Sequence, residues 1–243
     1  MLKKHIVFIK SNVKVNYIAK DEIYVNETCL GILKGIRLLK AYFNIKKKLP
    51  SIVVTLAENR KEYNFTLRNE FGLNIRKTPL TRIAQPKGTH LLLLSPNAYE
   101  HDSIYTYKRD EYIRLMIHEV THIITRIISC GEENMPRWFE EGLSVYLSKQ
   151  WLYEDEFKEL VLREVSTNNI PSLMEIIQNR IYYYSWGWTV VKYIEKFYGK
   201  KMILEIIEKC KQYDIFKIIG EESNFLEEKW RKNLKKNIEH LFV

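Results

Sequence analysis

Two histidines four residues apart, with a glutamate after the first, are the residues best placed to do chemistry. They form His118-Glu119-Val120-Thr121-His122, inside the segment Tyr112–Ile128, YIRLMIHEVTHIITRII. On an α-helix, residues i and i+4 stand about 40° apart in projection and one turn apart along the axis. Both imidazoles can therefore reach one metal ion, and zinc–nitrogen bonds of about 2.0–2.1 Å suit that spacing. Glu119 points about 60° from His122, where its carboxylate could take a proton from a metal-held water. Ile113, Met116, Ile117, Val120, Ile124 and Ile127 make an apolar stripe on the opposite side of the same helix. The histidines thus do not share the core-packing face. The simpler reading is a solvated polar face with accidental spacing, a risk every motif match carries.

Two histidines do not complete a catalytic zinc site, which takes three protein ligands and leaves a position for water. A third histidine ten residues after His118 would make the metzincin pattern, but Ile128 stands there and Thr125 replaces the required glycine. The next option is a glutamate from a following helix. Pro136–Leu147 reads PRWFEEGLSVYL and offers Glu140 and Glu141, the latter with 18 residues between it and His122.

HExxH, 18 residues and a glutamate in a W-F-x-E-G-L-S context together resemble the gluzincin zinc peptidases. The likeness is to the compact peptidase MA-like group, whose helix context is shared with the aminopeptidase N type. The resemblance implies His118, His122 and Glu141 as ligands of one Zn2+ per chain, with Glu119 as general base and acid. Glu140 is one residue short of the interval, and the family's glutamate abuts the glycine. Gly142 would let its helix approach the HExxH helix closely. Trp138, Phe139, Leu143 and Tyr146 read more simply as core packing. Similarity continues more loosely through Tyr182-Tyr183-Tyr184, SWGWTVVKYIEKFYG and NFLEEKWRKNL. In gluzincins a Tyr or His in that region hydrogen-bonds the oxyanion; Tyr184 fits first and Tyr183 next, the alternative being that these rings only pack.

Activity follows as an expectation. A zinc-activated water attacks a peptide carbonyl, Glu119 takes its proton and returns it to the leaving amine, and a tyrosine steadies the developing oxyanion. The family also pairs an extended substrate with an edge strand, which would place a peptide along Leu92, Leu93, Leu94 and Ser95. An ordinary interior strand is the alternative. No GxMEN-type segment is present upstream, so an endopeptidase is expected rather than an aminopeptidase. Two other functions compete: a zinc-binding gluzincin-like domain with a regulatory or binding role and little hydrolysis, and a basic nucleic-acid-associated protein with a structural zinc. His5, His90, His101 and His240 lack ligand spacing. Glu140, Glu111 and Asp110 are the candidates to support the ligand histidines.

The elements that must position these groups are of two kinds. In the first hundred residues, Ile6–Ile9, Ile52–Leu56 and His90–Ser95 read as strands and Glu27–Asn44 as a helix. A short helix is expected near 57–63 and irregular chain over 64–88. From Asp110 onward, helices are expected at 110–129, 136–150, 153–165, 171–179, 184–198, 200–212 and 223–238. This predicts an α+β fold: a small N-terminal α/β lobe with an edge strand (1–105), packed on a mainly helical lobe carrying the zinc site (106–243). A gluzincin-like cleft is expected between them, within one catalytic unit.

The 243 residues, 46% hydrophobic and 28% charged, exclude a disordered chain. Cys29, Cys130 and Cys210 are odd in number and widely spaced, which argues against a disulfide framework. The net charge of +9 is Lys-dominated and spread along the chain, with no nucleic-acid motif beside it. No apolar run approaches the ~20 residues of a spanning helix, and the basic start lacks a signal-type apolar region. A cytoplasmic location and a peptide or protein substrate are therefore expected; oligomeric state is not readable.

Overall fold

The computed structural model describes residues 6–131, 134–238 and 242; the histidines at 5 and 240 lie outside them. The chain is α+β, with a five-stranded sheet near its N-terminus and a mainly helical C-terminal part. The described residues divide into two units. One holds the chain to Leu38 and Ile45–Ile123, the other Leu39–Asn44 and the chain from Ile124 on.

The first unit is built on the sheet. Strand β1 (Ile6–Lys10) turns through Ser11, at φ 58°, into antiparallel β2 (Val13–Tyr17). The alternation of VKVNY puts Val13, Val15 and Tyr17 in the core. Helix α1 (Glu22–Tyr42) leads to β3 (Ile52–Ala57), which runs parallel to β2. Helix α2 (Arg60–Asn69) follows, capped by the Asn59 side chain. It overlaps the short helix expected near 57–63 but starts three residues later and runs on to Asn69, into the stretch expected to be irregular, because Ala57 still belongs to β3 and Asn59 supplies the cap.

The stretch beyond α2 is ordered by side-chain bonds to it. The Arg60 Nη1 donates to Thr78 Oγ1 (3.0 Å), its Nε to Asp102 O (3.0 Å), and Asn64 Oδ1 accepts from Thr78 Oγ1 (2.7 Å). Strands β4 (Ala84–Lys87) and β5 (His90–Leu94) then form a hairpin through Gly88, whose φ of 55° suits a residue without Cβ.

The strand order is β1-β2-β3-β5-β4, so β5 is an interior strand. This corrects the substrate-strand expectation. Leu91–Leu94 pair with Val54–Ala57 on one side and, through Leu93, with Ala84 on the other. Leu92, Leu93 and Leu94 are fully buried. The Ser95 N–H donates to Ala57 O (2.8 Å), and its hydroxyl donates to Asp21 Oδ1 (2.5 Å) and accepts from the Asn97 N–H (3.2 Å), capping the turn that follows β5. Strand β5 is thus flanked by a paired strand on both of its edges. The strands at the two ends of the sheet are β1 and β4, the latter with Pro86 in it.

A short helix α3 (Tyr99–Asp102) precedes α4 (Arg109–Ile128), the helix that carries the HExxH residues. Helix α1 packs on α4 through two glycines. A Cβ on Gly31 would lie 2.6 Å from the Met116 Cβ, and one on Gly35 would lie 3.1 Å from the Val120 Cβ. The apolar stripe of α4 thus meets a smooth helix surface.

The second unit is helical: α5 (Arg137–Ser148), α6 (Gln150–Tyr153), α7 (Asp155–Ser166), α8 (Leu173–Gln178), α9 (Arg180–Ser185), α10 (Gly187–Lys209), α11 (Ile215–Ile219) and α12 (Ser223–Asn237). Three of these, α6, α9 and α11, are too short for periodicity to reveal. Within α10 the helices expected at 184–198 and 200–212 are two helical segments, parted at Gly199, whose φ of 81° and ψ of 168° are non-helical. Trp138, Phe139 and Leu143 of α5 are buried. Gly142 does bring helices together, but against α10 rather than the HExxH helix, since its Cβ would fall 2.5 Å from the Gly187 backbone. Cys29, Cys130 and Cys210 are free thiols. Among the described residues no helix is long and apolar enough to cross a membrane.

Candidate metal centre

Helix α4 carries Asp110 and Glu111 in its first turn and Arg126 in its last, a charge order that the helix dipole favours. Its polar face is not solvated. His118, Glu119 and His122 are only 6%, 7% and 4% exposed. The Nε2 atoms of His118 and His122 face each other at 3.1 Å, their rings 4.8 Å apart and inclined at 69°. Glu141, on the second turn of α5, is 7% exposed. A ligand atom from each of His118, His122 and Glu141 lies within 4.8 Å of the other two, and among the described residues no other His, Cys, Asp or Glu group does this.

These donors fit a zinc-type ion on their own chemistry. Two nitrogens bound tetrahedrally at about 2.0–2.1 Å would stand about 3.3 Å apart, close to the 3.1 Å seen. Two imidazoles and one carboxylate form the donor set of three-ligand sites with an open position. Burial points the same way, since ionisable groups taken out of water are paired or hold metals.

The surroundings of Glu141 are strongly charged. Arg126 Nε donates to Glu140 Oε1 at 2.6 Å, and Arg137 Nη1 donates to Glu140 Oε2 at 3.1 Å. The same Arg137 nitrogen stands 3.8 Å from Glu141 Oε1. Burial works against the Arg137 charge, but Glu140, Glu141 and Tyr184 outweigh it and leave its pKa above the ordinary arginine value. Tyr183 and Tyr184 lie in α9, both half-buried.

Of the candidates to support the ligand histidines, two make ion pairs of their own. Glu140 is engaged by Arg126 and Arg137. Glu111 takes Lys108 at 2.9 Å, and Asp110 is exposed. His90 meets Thr55 Oγ1 at 3.2 Å and is held below its usual pKa by burial, while His101 is exposed.

Two neighbours were not anticipated from the sequence. Arg126 follows His122 by four residues, so the i+4 rule that groups the histidines also puts it on their face. Tyr63 of α2 is fully buried and its hydroxyl has no hydrogen-bond partner among the described residues. Burial and, next, the Glu119 carboxylate push its pKa up. No spacing in the sequence links residues 63 and 119. Compared with known proteins, the chain matches no family model and no curated protein.

Proposed function

We propose that the protein is a zinc-dependent peptidase of gluzincin type, acting as an endopeptidase on peptide or protein substrates. The observation that carries this reading is the convergence of buried His118, His122 and Glu141 ligand atoms within 4.8 Å, with Glu119 between the two histidines in sequence. A Zn2+ ion held by these three would lower the pKa of a water toward about 7 and polarise a substrate carbonyl.

The chain's own groups do the rest. Glu119, buried on the histidine-bearing helix, accepts the proton of the attacking water and delivers it to the leaving amine, a role for which a carboxylate within hydrogen-bond reach is suited. Tyr184, which acts electrostatically on Arg137, donates its hydroxyl to the developing oxyanion, and Tyr183 is the second choice. The burial of the histidines and of both carboxylates lowers the local dielectric and strengthens each of these interactions.

Glu119→Gln is the discriminating substitution. It keeps size and metal ligands but cannot accept the proton. Peptide hydrolysis should fall ~10²–10⁴-fold with zinc content unchanged. A Glu119→Gln protein that cleaves a peptide library as fast as wild type would remove the proposed mechanism. Wild-type protein that binds zinc yet leaves such a library intact would favour a binding role for the site.

A further inference from the structure

The geometry points to Arg126 and Glu140 as a positioning pair that sets the Glu141 carboxylate for metal binding. This rests on the reading of His118, His122 and Glu141 as ligands. Arg126 continues the row His118, His122 along α4, at successive intervals of four residues. Glu140 directly precedes Glu141 on α5. The 2.6 Å bond between Arg126 Nε and Glu140 Oε1 therefore ties α5 to the ligand-bearing row of α4 one residue away from the third ligand.

Both partners are buried, with side chains 9% and 2% exposed. The second Glu140 oxygen is taken by Arg137, so the carboxylate is held at both ends. On its other side α5 is held by the Gly142–Gly187 contact with α10. These contacts fix the rotation and the axial position of α5. A slip of one residue would move Glu141 by about 1.5 Å along the axis and about 100° around it. Metal–carboxylate bonds of about 2.0–2.2 Å do not tolerate such a shift.

An apolar pair could hold two helices together equally well. Buried ion pairs add little net stability relative to apolar isosteres, and their best-attested use is to specify register. The planar Arg126 fork suits that use, because it fixes direction as well as distance.

The test measures Zn2+ affinity, by competition with a chromogenic chelator, alongside the thermal midpoint. The double variant Arg126→Met/Glu140→Leu removes both charges together and avoids stranding either one. It should melt at or above the wild-type temperature yet bind Zn2+ roughly 10–100-fold more weakly, the range seen when groups that orient ligands are lost. Arg126→Lys, which keeps charge and most of the volume, should show a smaller loss in the same direction, and it decides the matter if the double variant does not fold. Wild-type Zn2+ affinity in a folded variant would overturn the inference while leaving the metal centre standing. Wild-type protein that takes up no Zn2+ would overturn the metal centre, and this inference with it.

Discussion

Helix α4 has two buried faces, and they are buried by opposite means. On one, Met116 and Val120 lie against Gly31 and Gly35 of α1, where even a single added carbon would come within 2.6–3.1 Å of a neighbouring side chain. On the other, His118, His122 and Arg126 face inward, with Arg126 bonded to Glu140. The apolar face follows from the hydrophobic effect and close packing, and it stabilises the fold without further explanation. The polar face costs energy to bury, and the Arg126–Glu140 ion pair offsets part of that cost. An element that buries two histidines, a glutamate and an arginine within nine positions is shaped by chemistry as much as by stability.

The comparison can be broken from either side. The largest effect is expected at the polar face. His122→Ala should abolish stoichiometric zinc and reduce hydrolysis to background, while the thermal midpoint without metal stays near or above that of the metal-free wild type. Retained zinc at wild-type affinity in this variant would show that the face is not a metal site. Tyr184→Phe comes next, with kcat down by ~10²-fold and zinc content unchanged. If Tyr183→Phe has that effect instead, the two neighbouring roles exchange.

The apolar face should respond in stability alone. Gly31→Ala gains helix propensity of about 1 kcal/mol, but its Cβ would meet the Met116 Cβ at 2.6 Å. Overpacking of this kind typically costs about 1–3 kcal/mol, so a net loss in chemical denaturation is expected, with zinc content intact. Gly35→Ala is the mildest. Its closest contact is 3.1 Å, and the propensity gain should leave it within about 1 kcal/mol of wild type. A Gly31→Ala protein as stable as wild type would mean that α1 and α4 have more room than their contacts indicate.

How far the sequence discloses these features depends on the range of the interaction involved. The His118–His122 spacing is local, set by the helical repeat, and could be read directly. Glu141 lies across a helix boundary and needed the wider W-F-x-E-G context. The α+β division was legible from the change of periodicity near Asp110. Strand order was not, because register and neighbours are set by pairings distant in sequence. Four consecutive leucines at Leu91–Leu94 do carry the signature of a strand buried on both faces, and that signal argued against an open edge there. The partner of Gly142 was equally hidden: a glycine in a helix announces close approach, but Gly187, 45 residues on, names the neighbour only once the helices are packed. The electrostatic influence of Glu119 on Tyr63 and the Arg126–Glu140 bond are likewise tertiary facts, although Arg126 falls on the histidine face by simple counting.

The central claim is that His118, His122 and Glu141 hold one cation. It is tested most directly by elemental analysis of wild-type protein purified without chelators, paired with Glu141→Gln. The account predicts about one zinc per wild-type chain, removable by a chelator and restored by adding Zn2+, with the Glu141→Gln chain binding far more weakly. Wild-type protein that emerges metal-free and does not take up zinc, or a Glu141→Gln chain that holds it equally well, would contradict the account.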